Sequence, residues 1–282
     1  DLEPRCQPFT AELRAQLQKE YEAGHRVVLV ASTAAQSGST LTDAEVSKLT
    51  VDGYLVFTDE VKANASESLK ELAQLGIEVK IATGDNLIVA RAVCERMGLS
   101  VADILSGTEI EAMSDAELAT RAKTATVFAR VSPEHKARII NVLRANGSAV
   151  GFLGDGVNDA IALHMADVGI SVDTAVDVAK DAADIVLLQK DLGVLANGVR
   201  EGRRVFSNTM KYVLTTESAN LGNMMSMAVS SIFLPFLPLL AKQILLNNFL
   251  YDLSQITIPT DQVDEEQVRH PRRWRMKTLQ NF

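Results

Sequence analysis

From residue 51 to residue 172 the sequence alternates between short apolar runs and segments with helical spacing, and this alternation narrows the fold more than any other feature. The runs "GYLVF", "IEVKIA", "TVFAR", "AVGFL" and "VGIS" read as strands. Between them, helices are expected from about Val61 to Leu75, Asn86 to Met97, Pro133 to Ala145, and from Asn158 onward. Strands alternating with helices predict a mostly parallel α/β sheet covered on both faces. In such sheets the chemistry collects beyond the strand C-termini. Ahead of this region, Leu13, Leu17 and Tyr21 stand at helical spacing before Gly24, and the strand "RVVLVAS" follows.

After about Leu192 the pattern changes. Val213 to Leu234 and Leu239 to Ile258 flank a "PFLP" turn, and each is near the roughly 20 residues that cross a hydrocarbon core. Two spanning helices are the expectation, with a buried soluble hairpin as the alternative. Arg200, Arg203, Arg204 and Lys211 precede the first, while Arg269, Arg272, Arg273, Arg275 and Lys277 follow the second. Basic flanks favour the membrane and place both ends in the cytoplasm. The formal net charge of -8 argues against a general nucleic-acid binder. Two cysteines, Cys6 and Cys94, make a disulfide framework improbable. The opening residues carry neither an initiator methionine nor an apolar signal segment, which reads as a segment of something longer.

Three stretches at strand ends or helix starts carry candidate chemistry. Thr83-Gly84-Asp85-Asn86 offers a hydroxyl and free backbone N–H groups suited to phosphate, and is equally a good helix cap. Lys136, in the first turn after Ser132-Pro133, either holds phosphate as a point charge or is simply solvated. Asp155 and Asp159, within "FLGDGVNDA", make either an Asp-Gly turn capping a helix or a magnesium site on a glycine-relaxed loop. Together, a hydroxyl, a lysine and an acidic pair describe a phosphoryl-transfer centre with Mg²⁺.

The stretches "TGDN", "FARVSPEHK" and "GDGVNDAIAL" resemble the phosphorylation domain of P-type cation-transporting ATPases, members of the haloacid dehalogenase superfamily. The C-terminal segment "NNFLYDLSQITIPTDQVDEEQVRHPRRW" looks most like the bacterial magnesium-importing branch. The resemblance implies a Rossmann-like, incomplete phosphorylation domain followed by a transmembrane helical hairpin, with ATP and Mg²⁺ as cofactors. It implies that Thr83 and Lys136 contact the transferred phosphate, with Gly84 and Asp85 in the loop that meets phosphate and nucleotide. Asn158 joins Asp85 and Lys136 in cofactor binding, Asp155 holds the catalytic Mg²⁺, Asp159 supports that site, and Asp59 matches a hinge aspartate. The family's nucleophile lies in an Asp-Lys-Thr-Gly-Thr stretch that these 282 residues do not contain. Its strand lies inside the family's sheet, so unpaired strand edges and exposed apolar surface are expected here.

Within the apolar pair, Asn220 and Asn223 share one helical face, and Asn248, Asp252 and Gln255 share another. Such oxygens suit a hard cation, or else bond across helices as packing. The resemblance selects Asn220, Asn223 and Asp252 as ligands of transported Mg²⁺. The expected organisation is a nucleotide-domain remnant over 1–50, the phosphorylation domain over 51–192, a stalk helix over 193–212, two spans over 213–258 and a cytoplasmic loop over 259–282. The expected function is that of a fragment of an ATP-driven Mg²⁺ importer in the cell membrane, its α/β part cytoplasmic and its partners ATP, a divalent cation, the bilayer and missing portions of the same polypeptide. A pump for Ca²⁺ or another cation, or a non-catalytic membrane protein retaining the scaffold, are the alternatives.

Overall fold

The computed structural model describes residues 6, 9–33, 49–58, 64–236 and 238–271. The hinge candidate Asp59 lies outside them. Two compact units divide the chain: the first takes the described residues up to Leu69 together with Val79–Leu192, and the second takes Lys70–Glu78 with the described residues from Gly193 onward.

The first unit opens with α1 (Ala11–Glu22), capped by the Thr10 hydroxyl. Next come β1 (Arg26–Ser32) and β2 (Thr50–Phe57), which pair antiparallel as a two-stranded ribbon. The sequence reading placed "GYLVF" in the parallel sheet, and this is corrected. Alternate residues of β1 are exposed, with Val28 and Val30 on the open face, so the ribbon is covered on one side only.

The chain continues through α2 (Ala65–Gln74), β3 (Ile81–Ala82), α3 (Leu87–Arg96), β4 (Ile104–Ser106), α4 (Gly107–Ala112), α5 (Asp115–Thr124), β5 (Val127–Ala129) and α6 (Pro133–Ala145). Strands β3, β5 and β4 form a parallel sheet with β5 in the middle. Period-two alternation along β5 divides the packing between its two faces. Phe128 joins Ile110, Leu118, Ile139 and Leu143 in one core, whereas Val127 and Ala129 join Ala90 and Cys94 of α3 in another. Burial raises the Cys94 thiol above its ordinary pKa. The run "IEVKIA" is strand only at its last two residues, Ile81 and Ala82, which pair with Val127 and Phe128 of β5.

A second parallel sheet follows, built from β6 (Gly151–Leu153), β7 (Val168–Val172) and β8 (Ile185–Leu187) in that order. A 3-10 turn (Val157–Asp159), α7 (Ala160–Met165) and α8 (Asp177–Asp181) connect them. Its core gathers Leu163, Val172, Ala175 and Ala179. The expected parallel α/β region is therefore present as two three-stranded sheets, with β3 and β6 each hydrogen-bonded to a strand on one side only among the described residues.

The second unit contains α9 (Leu192–Phe233), α10 (Ala241–Gln255) and α11 (Glu265–Arg269). Helices α9 and α10 form a hairpin joined by the Thr216 hydroxyl to Gln255 Oε1 at 3.0 Å and by Asn247 Nδ2 to Asn223 Oδ1 at 3.4 Å. Among the described residues, no helix is long and apolar enough to cross a membrane. The second expected span is a helix of 15 residues, shorter than the roughly 20 that crossing needs. The first is diluted by Thr215, Thr216, Glu217, Ser218, Asn220 and Asn223.

Two predictions test this packing. Phe128→Ala should cost about 3–5 kcal/mol in urea denaturation, since its ring is 1% exposed in a closed core. Ser106 and Ser114 cap α4 and α5, and their hydrogen bonds hold the Glu109 and Glu117 carboxyls below the ordinary range. A folded pKa below the unfolded one gives stability that is complete above the unfolded value and lost as pH falls through the folded value. The double variant Ser106→Ala, Ser114→Ala should therefore lose less stability than the parent between about pH 6 and about pH 3.

Candidate functional site

The structure places the sequence candidates of the first unit in two groups, one at the end of each parallel sheet. At the end of β3 the Thr83 N–H donates to the Phe128 carbonyl at 2.9 Å and continues the ladder. The Thr83 hydroxyl then donates to Asp85 Oδ2 at 2.9 Å and accepts the Asp85 N–H at 3.1 Å. Gly84 between them is exposed, and a Cβ there would meet nothing within 4 Å. Asn86 caps α3 by accepting from the Ile88 and Val89 N–H groups, so the cap expected of "TGDN" falls to this residue.

Asp85 also meets a partner that the sequence reading passed over. Arg26 of β1 donates through Nε and Nη2 to both carboxylate oxygens, at 2.8 and 3.0 Å. Such a two-pronged guanidinium–carboxylate contact fixes orientation as well as charge. The pairing is 59 residues apart in sequence, and no local pattern announces it. Beside the same loop, Arg130 follows β5 with a backbone φ of +52°, the left-handed region that non-glycine residues rarely adopt. Its N–H donates to the Asp85 carbonyl at 2.9 Å. Gly107 is needed opposite it, because a Cβ there would lie 2.3 Å from the Arg130 carbonyl oxygen.

The second group forms where β6 ends. Ser132 caps α6 and Pro133 opens it, which puts Lys136 in the first turn. Lys136 Nζ donates to Asp159 Oδ1 at 2.7 Å, and both side chains are only 13% exposed. The other Asp159 oxygen accepts the Gly156 N–H at 3.2 Å. Gly154 lets the loop fold this tightly, because a Cβ on it would come within 2.5 Å of Asp159 Cβ. Lys136 is thus neither merely solvated nor distant from the acidic pair. Asn158 is exposed on the same turn.

Asp155 is arranged differently. It is half-exposed, its carbonyl accepts the Val176 N–H at 3.2 Å, and its carboxylate accepts from Lys190, a second residue that the sequence reading did not single out. No cluster of three or more acidic, histidine or cysteine side chains able to hold a metal is present among the described residues. The donor set still fits Mg²⁺. That ion is commonly held by one or two carboxylates while water and phosphate fill its remaining positions, and Asp155 offers a carboxylate open to solvent.

In the second unit the three expected ion ligands differ in exposure and bonding. Asn223 is half-buried and bonded to Asn247, the residue before the Asn248 that sequence spacing favoured. Asn220 and Asp252 are exposed. Gln255 is buried, and among the described residues its Nε2 has no hydrogen-bond partner.

The site gives a direct test. Lys136→Met should lower stability by about 3 kcal/mol in urea denaturation, because it strands a carboxylate that is 13% exposed. Adding Asp159→Asn should recover most of that loss. An unchanged midpoint in Lys136→Met would remove the pair from the account of the loop.

Comparison with known proteins adds sequence relatives to this geometry. A family model described as haloacid dehalogenase-like hydrolase matches residues 7–167. "Magnesium-transporting ATPase, P-type 1" of Salmonella typhimurium (strain LT2) is 47% identical over 268 residues, covering 94% of this chain and 30% of that protein. The protein of the same name in Escherichia coli (strain K12) is 51% identical over 239 residues, covering 85% of this chain and 27% of its own length. "Calcium-transporting ATPase type 2C member 2" of Homo sapiens is 35% identical over 233 residues, covering 81% of this chain and 25% of its own. The chain spans less than a third of the length of these relatives.

Proposed function

The chain belongs to the haloacid dehalogenase-like hydrolases, and on that premise we propose that it is the phosphate-handling and ion-path segment of a P-type pump that moves Mg²⁺ at the expense of ATP. The observation that carries this reading is the Lys136–Asp159 pair beside Asp155, on a glycine loop that ends a parallel strand. It supplies a fixed ammonium, a carboxylate open to a cation and exposed backbone around one loop.

In the proposed chemistry, ATP phosphorylates an aspartate of the Asp-Lys-Thr-Gly-Thr kind that these residues do not contain. The Thr83 hydroxyl and the Lys136 ammonium hold the transferred phosphoryl oxygens and offset their charge. Gly84 keeps the approach to Thr83 open, while Asp85 and Asn158 face the nucleotide. Asp155 holds Mg²⁺, which when bound neutralises charge on the phosphoryl group and fixes its orientation. Asp159 keeps Lys136 in place until phosphate arrives. The aspartate-bearing strand is proposed to pair with the open edges of β3 and β6, which is supported by the separation of the parallel strands into two sheets.

The hairpin of α9 and α10 is proposed to lie in the cell membrane, the first unit remaining cytoplasmic. Support comes from its exposed apolar side chains, among them Leu221, Met224, Ile232, Phe233, Leu245 and Phe249, which a lipid environment would cover. The short length of α10 is compatible with a span only where neighbouring helices complete the bundle. Asn220, Asn223 and Asp252 are proposed as ligands of the transported ion, consistent with a hard cation and no thiol or imidazole. Identity of 35% to a calcium-transporting ATPase keeps Ca²⁺ as the second reading of the cargo.

A chimera decides between them. The matching segment of the Salmonella typhimurium transporter, replaced by this chain, should restore growth of an uptake-deficient strain at limiting Mg²⁺. Lys136→Ala or Asp252→Ala in the chimera should abolish that growth while the protein still reaches the membrane. Uptake unchanged by Asp252→Ala would sink the ion-site assignment, and ATP hydrolysis stimulated by Ca²⁺ alone would favour the second reading.

A further inference from the structure

Helices α4, α5 and α6 each open on a serine capping box, and they differ in the residue that closes it. Glu109 and Glu117 reach back to Ser106 and Ser114 on α4 and α5, the residue type this motif ordinarily uses. On α6, the helix that carries Lys136, the closing residue is His135, with a side chain 13% exposed. Both of its ring nitrogens are committed. The Ser132 N–H donates to Nδ1 at 3.2 Å, while the His135 N–H donates to the Ser132 hydroxyl at 3.2 Å. Nδ1 is therefore an acceptor, which puts the proton of the neutral ring on Nε2. Nε2 donates in turn to Oε1 of Glu111 on α4, at 3.1 Å. An imidazole bonded at both nitrogens has a fixed tautomer and a fixed ring orientation. Gly107, where α4 begins, makes room for the ring, since a Cβ there would lie 3.1 Å from Nδ1 and 3.2 Å from Cε1.

The chain entering this turn is tied to the loop of Thr83 and Asp85. The Arg130 N–H donates to the Asp85 carbonyl at 2.9 Å, and the Val131 N–H donates to the Thr83 carbonyl at 3.1 Å. Ser132 comes next, and its carbonyl accepts the Lys136 N–H at 3.1 Å. Thr83 and Lys136 are thus joined by a short hydrogen-bonded path of backbone. The freedom left in that path is the direction in which the first turn of α6 leaves Ser132. His135 fixes that direction from two sides, through the cap on its own helix and through Glu111 and Gly107 on α4.

We propose that His135 is a positioning residue, held with its proton on Nε2, which fastens the first turn of α6 to α4 and so keeps the Lys136 ammonium in register with Thr83. This rests on the reading of Thr83 and Lys136 as the groups that hold the transferred phosphoryl oxygens. The ring touches neither phosphate nor nucleotide in this role. It acts through Lys136, whose own contact with Asp159 sets the ammonium at the other end of the side chain. A glutamate at the same position would close the cap but could not donate to Glu111, which is why an imidazole serves both bonds.

ATP hydrolysis by variants of the Salmonella typhimurium chimera tests this. His135→Ala removes both ring bonds and should lower kcat about ten- to hundredfold, the range expected when a reacting group is displaced by about an ångström, with KM for ATP close to the parent's. His135→Gln offers an amide oxygen to the Ser132 N–H and an amide N–H to Glu111, and should restore kcat to near the parent value. His135→Glu closes the capping box but sets a carboxylate against Glu111, and should stay as slow as His135→Ala. Parent-like turnover in His135→Glu reduces the residue to a helix cap, and parent-like turnover in His135→Ala removes it from the reaction. Either result overturns the proposal, as does a His135→Gln as slow as His135→Ala. Lys136→Ala tells this failure from that of the underlying reading: full activity there overturns the phosphate role of Lys136, whereas an inactive Lys136→Ala beside a fully active His135→Ala leaves that role standing. Should the His135 variants fail to fold, nitrogen NMR of the full chain decides. An acceptor shift at Nδ1 with an N–H at Nε2 supports the proposal, and a proton on Nδ1 overturns it.

Discussion

The first parallel sheet depends on three residues, Val127, Phe128 and Ala129, each 1% exposed or less. A strand this short has little backbone pairing to contribute, so its position is set by what its side chains pack against. Phe128 enters the core shared with α5 and α6, and its neighbours enter the core shared with α3. Burial on opposite faces fixes the register, because a slip of one residue would exchange the two cores. That register then sets the chemistry at the strand end. Thr83 is held through the Phe128 carbonyl, and Arg130, two residues beyond Phe128, takes the strained backbone that meets the Asp85 loop.

Much of this was legible because its causes are local. Lys136 was found from a Ser-Pro helix start, and the loop of Asp155 and Asp159 from two glycines after an apolar strand, both patterns that act within a few residues. The capping boxes at Ser106–Glu109 and Ser114–Glu117 carried an equally local signal for α4 and α5, which the strand–helix alternation alone passes over. Other features were not legible because they depend on distant residues. Arg26 meets Asp85 across 59 positions and Lys190 meets Asp155 across 35, and neither lysine nor arginine differs in sequence from a solvated surface charge. The antiparallel pairing of β1 with β2 was hidden for another reason. A run such as "GYLVF" is equally at home in a parallel sheet or a ribbon, and only its partner decides.

The division into two three-stranded sheets has its own physical content. Parallel strands are ordinarily buried on both faces and hydrogen-bonded along both edges, except at the ends of the sheet. Here β3 and β6 each pair on one side only among the described residues, and apolar groups near the second sheet stay in water. Leu153, Val157, Ile161, Ile185 and Leu188 are all exposed, the last at 83%. A sequence selected to fold with such a surface open would carry charge or proline along it. These residues carry branched aliphatic side chains instead, so the composition of the surface suits a covered neighbour and not solvent.

The same reasoning separates the roles of the acidic residues without appeal to their identity. Asp159 and Asp155 are chemically alike and four positions apart, but one is closed between an ammonium and a backbone N–H while the other faces water. A carboxylate whose oxygens are both committed positions its partners. Binding a metal there would first break a closed pair, at a cost of several kcal/mol. A half-exposed carboxylate has no such barrier, and its loop sits where three strand ends meet. The fold thus separates a closed aspartate from an open one by burial. Gly154 makes the sorting possible, since only a residue without a Cβ lets the chain pass close enough to seat Asp159 against Lys136 while leaving Asp155 outside.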